Sequence, residues 1–385
     1  MKDKVRKLYQ TTFGEEPECI AFAPGRIEFI GNHTDYNGGL VLGAAVAEGI
    51  MVAAGKRRDG RFHLTSELHD FVETSIDALK PGADAQAWAN YPLGVAAVMQ
   101  EQGMPVESGF NWAATSSLPA GAGLSSSAAL ELATAYALAE LIGFKADAAT
   151  FARIGRRAEN EFVKMPCGIL DQGVSAFGRA GHLVKIDCAT EAFSIVPMPE
   201  GVRFWVFDSN KKHSLVDSQY GDRHRECSEA FERLKSQHPG IASLSSLDEN
   251  QLRASAATLP ETLFKRALHI VTENARVREV EQAFASGNRE AAGRALNASH
   301  ESSRVNFENS TEELDFLVAE VCKRPDVCGA RLTGGGFGGS VLAMTNPAFS
   351  DSDAAEVARA YRERFGIEPN VLPTRAGDGA RVLYS

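Results

Sequence analysis

A glycine- and serine-rich stretch, LPAGAGLSSSAAL, occupies Leu118–Leu130. Gly121 and Gly123 precede three consecutive serines, and an alanine- and leucine-rich helical run follows. The first N–H groups of a helix have no partner within the helix and lie at the positive end of its dipole, so they favour an anion. Glycine lets the backbone approach that anion closely, and serine hydroxyls add donors and metal ligands. The stretch predicts a phosphate-binding turn, although an ordinary serine-capped helix also fits the pattern.

Two familiar nucleotide-binding signatures do not explain this turn. Gly-Lys-Ser and Gly-Lys-Thr are absent from the chain, so the P-loop signature is missing. The dinucleotide pattern G-x-G-x-x-G occurs at Gly334–Gly339, where five glycines in six residues satisfy it trivially. No acidic residue about 20 residues further on follows a helix as that pattern requires. The late glycine run is therefore interpreted as a loop rather than as part of a Rossmann fold.

Composition narrows the class of protein further. A chain of 385 residues is long enough for two or three domains with full cores. Its net charge of −10 argues against a broad nucleic-acid surface and against binding to anionic membranes. The N-terminus, MKDKVRKLYQ, lacks the apolar region of a secretion signal, and the six cysteines show no C-x-x-C spacing. We expect free thiols, a cytoplasmic location and a monomer or weak homo-oligomer.

Hydrophobic patterning predicts a mixed α/β chain with a domain boundary near Glu191–Gly201, giving domains 1–195 and 196–385. A capping box at Ser310-x-x-Glu313 predicts a helix through Lys323. The other predicted helices are Tyr91–Glu101, Ser127–Leu141, Ala146–Lys164, Ser218–Lys235 and Pro260–Ala285. The predicted strands are Cys19–Ala23, Ile27–Ile30, Leu40–Val46, Met51–Lys56, Phe110–Ala114, His182–Asp187 and Arg203–Asp208, with a turn joining the third and fourth.

Two further segments carry groups suited to chemistry. Arg26, His33 and Asp35 fall within ten residues of each other, a clustering that suits a small polyhydroxylated ligand. A loop that carries these polar side chains without a ligand also fits the pattern. Asp171, in PCGILDQGVS, lies in an apolar setting before a predicted strand and is either structurally hydrogen-bonded or catalytic. Glu159 lies on the preceding helix, where it could reach a metal ion or simply face solvent.

Together these segments resemble the sugar-kinase branch of the GHMP kinases, and within it the galactokinases. The family's opening signature GRVNLIGEHTDYNDG reads GRIEFIGNHTDYNGG here from Gly25, and its phosphate loop P-x-G-A-G-L-S-S-S-A matches Pro119–Ala128. Its late loop TGGGFGG matches Thr333–Gly339. Four more motifs agree in order and spacing: WANY at Trp88–Tyr91, CGILDQ at Cys167–Gln172, DSNKKHSLVDSQY at Asp208–Tyr220 and SHESSR at Ser299–Arg304.

The resemblance implies an α+β fold of two domains with the active site in the cleft between them. The N-terminal domain would be a mixed sheet flanked by helices, and the C-terminal domain a ferredoxin-like α+β unit. The implied reaction converts ATP and galactose into ADP and the sugar 1-phosphate, with Mg²⁺ as cofactor. The implied ATP ligands are Trp88 near the adenine and, in the phosphate loop, Gly121, Ala122, Gly123, Leu124, Ser125, Ser126 and Ser127.

The resemblance also assigns roles on the metal and sugar sides. Ser127 and Glu159 would hold Mg²⁺, directly or through water, and Gly335 and Gly336 would buttress the phosphate loop. Asp171 would accept or polarise the proton of the attacking hydroxyl, and Arg26 would stabilise that carboxylate and the transferring group. The other residues implied to contact the hexose are Asn32, His33, Asp35, Gly168 and Tyr220.

The chain departs from the family pattern around the sugar. Asn32 stands where the family has a Glu that accepts a hydrogen bond from the C6 hydroxyl, and Glu28 stands where it usually has Asn. Val305–Asn306 replaces Asp-Asp, for which we have no physical account. Since Asn is uncharged, a uronic acid becomes conceivable as substrate. A kinase of N-acetylgalactosamine or another GHMP substrate and a non-catalytic sugar sensor also remain open at this point, although the intact Ser127–Ala128 step favours a catalyst.

Overall fold

The computed structural model describes residues 1–119, 121, 123–165, 167–211 and 216–384. The helices are α1 (Lys2–Phe13), α2 (Asn90–Glu101), α3 (Ser126–Ile142), α4 (Ala148–Arg157), α5 (Leu170–Phe177), α6 (Val216–Lys235), α7 (Glu249–Ala254), α8 (Glu261–Ala285), α9 (Arg289–Ser302), α10 (Glu312–Val321) and α11 (Asp351–Phe365). The strands are β1 (Cys19–Ile30), β2 (Leu40–Lys56), β3 (Arg61–Ser66), β4 (Val72–Ser75), β5 (Phe110–Ser116), β6 (His182–Asp187), β7 (Ala192–Pro197), β8 (Arg203–Asp208), β9 (Val327–Thr333), β10 (Ser340–Thr345), β11 (Asn370–Thr374) and β12 (Arg381–Tyr384).

The first sheet has the order β12-β1-β2-β5-β3-β4, and β6 pairs with β2 and β7. The prediction of two strands within 40–56 is wrong, because β2 is continuous and serves two partners. Its first half pairs with β6, Leu40 opposite Asp187, and its second half pairs with β5, Ile50 opposite Ser116. Both halves pair with β1, so no turn is needed between them.

Strand β1 is also a single element where the sequence predicts two. Its register against β2 shifts between Pro24 and Arg26. A Cβ on Gly25 would lie 2.6 Å from the carbonyl oxygen of Leu124, so this irregular point of β1 presses directly against the serine-rich turn. The absence of a side chain at Gly25 therefore allows β1 and the turn to meet, which positions Arg26.

The second sheet is antiparallel and has the order β11-β8-β10-β9. Helices α6 to α10 connect β8 to β9, and α11 connects β10 to β11. This is the ferredoxin-like β-α-β-β-α-β arrangement, so the fold class predicted for the C-terminal part is confirmed. The division at 195/196 falls inside β7 of the first sheet, and β12 returns from the C-terminal end to pair with β1. That exact division remains a prediction.

Three local details differ from the expectations. Asp171 precedes strand β6 as expected, but it lies in the first turn of helix α5, which was not predicted. The predicted helix Ala146–Lys164 is α4 followed by a π-helical segment, Ala158–Val163, which ends at Lys164 with φ 68°. The cap of α10 is Thr311, whose side chain accepts from the N–H of Leu314, so the capping box at Ser310 is wrong. Apolar runs of this length do not distinguish a short buried helix from a strand.

The six cysteines, all within the described ranges, are free thiols. In those ranges we find no helix with the length and apolar character that crossing a bilayer requires.

Candidate active site

The serine-rich turn leaves the N-terminus of α3 open. The N–H of Ala129 bonds to the carbonyl of Ser125, so the N–H groups of Ser126, Ser127 and Ala128 come before the intrahelical hydrogen bonds. Ser125, at φ 51°, does not cap the helix with its side chain. The observed turn therefore differs from an ordinary serine-capped helix. No described group accepts from these three N–H groups, which can therefore bind an anion.

Two glycines shape this turn, and one predicted ligand in it is outside the described residues. Gly121 and Gly123 have φ of 79° and 67°, conformations that residues with a Cβ rarely adopt. Leu124 is buried and holds the turn against the core between the domains' sheets. Ala122 lies outside the described residues.

The late glycine loop faces the turn across a cavity of about 490 Å³. Besides the loop Thr333–Gly339 and the turn, Arg26 and Lys211 line this cavity. The contacts of Gly335 and Gly336 run to the other side, toward Asn309: the Gly335 carbonyl accepts from its side chain at 3.2 Å, and a Cβ on Gly336 would lie 2.2 Å from its carbonyl oxygen. The loop thus forms one wall of the phosphate cavity and is braced by Asn309.

An aromatic cavity of about 350 Å³ continues from the turn. It shares Tyr91, Gly121 and Ser127 with the phosphate cavity. Trp88 lines it, with the His69 ring stacked on its indole at 5.4 Å and 11° between planes. Flat apolar walls of this kind suit a nucleobase.

A small polar cavity of about 160 Å³ opens on the opposite side. It shares Arg26, Gly334 and Gly335 with the phosphate cavity, so the three cavities form one continuous cleft. Pockets for drug-sized ligands usually enclose about 300–1,000 Å³, so this one suits a smaller molecule. All the predicted sugar-side residues line it: Arg26, Asn32, His33, Asp35, Gly168, Asp171 and Tyr220.

Arg26 joins three segments that are distant in sequence. Its Nε and Nη2 lie 2.8 and 2.7 Å from Asp171 Oδ1, and its Nη1 donates to the Gly123 carbonyl at 2.7 Å. The backbone N–H of Arg26 donates to the Leu124 carbonyl. The Ser125 hydroxyl donates to Asp171 Oδ2. The Asp171 carboxylate therefore lies between the small polar cavity and the serine-rich turn. It is held by Arg26 from β1 and by Ser125 from the turn.

Both ring nitrogens of His33 form hydrogen bonds within the protein. Its Nδ1 accepts from the Tyr36 hydroxyl, and its Nε2 donates to the Gly335 carbonyl, both at 3.0 Å. Burial lowers the pKa of His33 to about 3, so the ring is neutral at physiological pH. The Tyr220 ring packs 5.1 Å from the His33 ring, measured between centroids. His33 and Tyr220 therefore form an aromatic wall of the small cavity.

Asp35 presents a carboxyl group to the same cavity. A Cβ on Gly168 would lie 2.2 Å from Asp35 Oδ2, so the carboxyl packs against the bare Cα of that glycine. Burial raises the pKa of Asp35 to about 7, and the nearby charges of Glu28 and Asp171 add to the rise. A hydroxyl group of a ligand in this cavity would replace the hydration that burial removes from the carboxyl.

Asn32 also lines the cavity, but hydrogen bonds within the protein take up the whole capacity of its side-chain amide. Nδ2 donates to Glu28 Oε1 at 3.0 Å and to the Gly334 carbonyl at 2.8 Å. Oδ1 accepts from Asn309 Nδ2 at 2.9 Å and from Ser303 Oγ at 3.4 Å. An amide has two donor hydrogens and two acceptor lone pairs, so none is left for a ligand.

The predicted metal residues lie together beside the turn. Glu159 is buried on the π-helical segment, and its Oε2 accepts from Gln172 Nε2 at 2.6 Å. Burial and then the charge of Asp171 raise the pKa of Glu159, while a hydrogen bond from Ser127 opposes the rise. A cation here would offset the cost of that buried charge. The described residues contain no group of three or more His, Cys, Asp or Glu side chains placed for a metal.

Glu273 on α8 holds the loop after β1 and was not predicted. Its Oε1 accepts the N–H groups of Gly31 and Asn32 at 3.0 and 3.1 Å, and the Ser299 hydroxyl at 2.7 Å. The sequence carried a usable signal: Glu273 lies three residues after Ile270 and four before Val277, on the buried face of the helix.

Comparison with known proteins agrees with this arrangement. The family model "Galactokinase galactose-binding signature" matches residues 7–56. The models "GHMP kinases N terminal domain" and "GHMP kinases C terminal" match residues 90–179 and 280–367.

Among curated relatives, a galactokinase of Roseiflexus sp. is 37% identical over 382 residues, 99% of this chain and 97% of the relative. One of Thermotoga neapolitana is 40% identical over 364 residues, 94% of this chain and 99% of the relative.

Among solved structures, the Lactococcus lactis galactokinase complexed with galactose superposes with a TM-score of 0.94 at 32% identity, covering 99% of each chain. The Methanococcus jannaschii mevalonate kinase has a TM-score of 0.68 at 16% identity, covering 94% of this chain and 99% of that one, which shows a shared fold alone. Identity above 30% over nearly the whole length, together with the three family models, identifies the chain as a member of the galactokinase family of GHMP kinases.

Proposed function

We propose that this chain transfers the γ-phosphoryl group of ATP to the anomeric hydroxyl of galactose, giving galactose 1-phosphate and ADP. The observation that carries the proposal is the junction of Arg26, Asp171 and Ser125, which stands between a hexose-sized cavity and an open helix N-terminus. The galactose bound to the Lactococcus lactis relative supports the choice of sugar.

ATP would span the two larger cavities. The adenine packs beside Trp88 in the aromatic cavity, and the phosphates bind the N–H groups at the start of α3. The turn residues that approach the phosphates are Gly121, Gly123, Leu124, Ser125, Ser126 and Ser127, and Ala122 belongs to the same proposed turn.

Galactose would bind in the small cavity with its anomeric hydroxyl toward Asp171. Asp35 accepts from hydroxyl groups of the ring, and Gly168 leaves room for the Asp35 carboxyl to reach them. His33 and Tyr220 bound the cavity on one side.

The chemistry moves one proton and one phosphoryl group. A bond forms between the anomeric oxygen and the γ-phosphorus, and the bond from that phosphorus to the bridging oxygen of ADP breaks. The hydroxyl proton passes to Asp171, whose oxygens are oriented by Arg26 and Ser125. Arg26 also faces the phosphate cavity, where its charge stabilises the transferring group.

Mg²⁺ would be held by Ser127 and Glu159, directly or through water, together with the ATP phosphates. When bound it neutralises charge on those phosphates. The raised pKa of the buried Glu159 in the absence of a cation fits this role.

The decisive experiment measures ADP release with galactose and ATP for the wild type and for Asp171→Asn. We expect galactose-dependent turnover for the wild type and a loss of about 10²-fold or more for D171N, since a general base contributes about 10²–10⁴-fold. ATP affinity, measured by a fluorescent nucleotide analogue, should stay unchanged because Asp171 lies on the sugar side. Near-normal kcat in D171N would remove Asp171 from the mechanism, and no galactose-dependent ADP release by the wild type would refute the function.

A further inference from the structure

Glu28 is a second carboxylate in the small cavity. It lies on β1 two residues after Arg26, so the two side chains leave the same face of the strand about 6.6 Å apart along it. Arg26 binds Asp171 at the reacting end of the cavity. Glu28 therefore stands about one sugar ring away from the hydroxyl that Asp171 faces.

Asn32 cannot supply the acceptor at this end, because its amide is fully engaged as described above. The orientation of that amide is also determined. Exchanging Oδ1 and Nδ2 would point an oxygen at two acceptors, Glu28 Oε1 and the Gly334 carbonyl. Asn32 therefore acts as a bracket between Glu28, the late glycine loop and Asn309.

Only one carboxylate oxygen of Glu28, Oε1, has hydrogen-bond donors among the described residues. Oε1 accepts from Asn32 Nδ2 and from Arg331 Nη2, the latter at 3.2 Å. No described residue donates to Oε2. The Glu28 side chain is 6% exposed, and it lines the small cavity. A buried acceptor of this kind favours a donor from a ligand.

Buried charge supports an ionised Glu28. Burial raises its pKa, and the Arg331 guanidinium opposes the rise. Arg331 is completely buried, and its other hydrogen bonds go to the backbone carbonyls of Glu28 and Phe29. A guanidinium remains charged at any relevant pH, so a neutral Glu28 would remove its closest counter-ion.

We propose that Glu28, not Asn32, is the specificity-determining acid of this sugar site, and that its Oε2 accepts a hydrogen bond from a hydroxyl group of the sugar remote from the anomeric position. The assignment rests on the proposed function, because it takes galactose as the occupant of the cavity. Glu28 then defines which hydroxyl pattern is accepted, while Asp171 and Arg26 act at the other end.

The test uses Glu28→Gln and four deoxyfluorogalactoses, substituted at C2, C3, C4 or C6. Asn32 and Arg331 both donate to Oε1, so the glutamine carbonyl keeps that position and its NH₂ takes the place of Oε2. Fluorine accepts but does not donate. Analogues fluorinated at the hydroxyls that Asp35 binds lose a donor to that acid. The wild type should also discriminate against the analogue fluorinated at the hydroxyl that Glu28 binds, by about 10- to 100-fold in kcat/KM relative to galactose, the range for a hydrogen bond to a charged group. E28Q should reduce that penalty by about tenfold and leave the other three ratios unchanged.

Asn32→Ala is the matched control. It disturbs the same bracket without a sugar contact, so it should lower kcat/KM for galactose and all four analogues by one common factor. Should E28Q fold poorly, the pair E28Q/R331M, which removes both buried charges together, is measured with the same panel. Unchanged analogue ratios in E28Q or in the double variant, or a selectivity change in N32A instead, would overturn the assignment. If the wild type shows no galactose-dependent ADP release, the proposed function fails, and the assignment falls with it.

Discussion

At the scale of single residues, contact between Asp35 and Gly168 sets where a ligand group can be. Gly168→Ala should raise the KM for galactose by about tenfold or more, because a Cβ there would lie 2.2 Å from Asp35 Oδ2 and push the carboxyl out of position. The KM for ATP should change little. Gly221→Ala is the control: a Cβ at Gly221 meets nothing within 4 Å and its helix gains propensity. Equal effects of the two substitutions on the galactose KM would contradict this account.

The same carboxyl group predicts a pH dependence. With a pKa raised to about 7 by burial, Asp35 is protonated below pH 7 and then accepts sugar hydroxyls poorly. The kcat/KM for galactose should fall about tenfold per pH unit below that value. Asp35→Asn should have a lower kcat/KM at pH 8 and should lose this acidic limb. Glu28 and Asp171 face Asp35 and shift its titration, so the limb is measured as a difference between the wild type and D35N. An identical acidic limb in D35N would assign the titration to another group.

The residue types predicted for the reacting end could be read from motifs, whereas their partners could not. Arg26 and Asp171 were both predicted, and they lie in direct contact although 145 positions separate them. Asn32 was predicted as a sugar ligand, yet its side chain is consumed by contacts from residues some 270 to 300 positions away. A motif specifies which group is present, but only the surrounding partners decide whether that group is free.

At the scale of elements, helix α8 holds the loop that follows β1. Although burial alone would raise it, Arg276 and Arg331 hold the pKa of Glu273 below its usual value, so Glu273 is ionised at neutral pH. It accepts two backbone N–H groups of the loop and pairs with Arg276. The loop geometry is therefore set by a helix almost 250 residues further along the chain.

Glu273→Gln should lower the free energy of unfolding by about 3–5 kcal/mol at pH 7, because it removes one partner of a buried ion pair. The depressed pKa means that this stabilisation exists above the unfolded pKa of about 4.3 and is lost as pH falls toward the folded value. The difference between the variant and the wild type should therefore shrink in acid. Urea unfolding at pH 7 and pH 4 measures it. Glu279→Gln, on the exposed face of α8, should change stability by less than about 0.5 kcal/mol. A loss in E273Q no larger than in E279Q would show that Glu273 does not anchor the loop.

Most helices and strands agree with the prediction from hydrophobic periodicity, and the incorrect predictions have a common cause. Helices α2, α3, α6 and α8 begin and end within a few residues of the prediction. Helix α5 was not predicted, and β2 was divided in two. Helix α5 has only eight residues and β2 is buried along most of its length, so neither the helical nor the strand period is visible. Their packing partners decided the outcome.

At the scale of the whole molecule, the last strand closes the edge of the first sheet. β12 pairs with β1 across the predicted domain division, Ile20 opposite Tyr384 and Phe22 opposite Arg381. Removing residues 381–385 exposes the β1 edge, and an unprotected edge invites aggregation. We expect an unfolding midpoint lower by at least about 5 °C and concentration-dependent aggregation, measured by calorimetry and light scattering. Tyr384→Ala keeps the backbone ladder and should have a much smaller effect. A truncated chain as stable as Y384A would show that β12 contributes nothing to the sheet.

The sequence alone determined the family and the fold class, and it predicted the groups at the proposed reacting end, because local motifs encode turns, helix starts and residue types directly. Only the tertiary structure decided which polar groups remain available to a sugar. Asn32 and Glu28 are four residues apart on one segment. Asn309 and the Gly334 carbonyl occupy the Asn32 amide, whereas Arg331 and Asn32 bind one oxygen of Glu28 and no described residue donates to the other. Those partners lie about 300 residues downstream, and no local pattern records which hydrogen bonds a folded chain has already made.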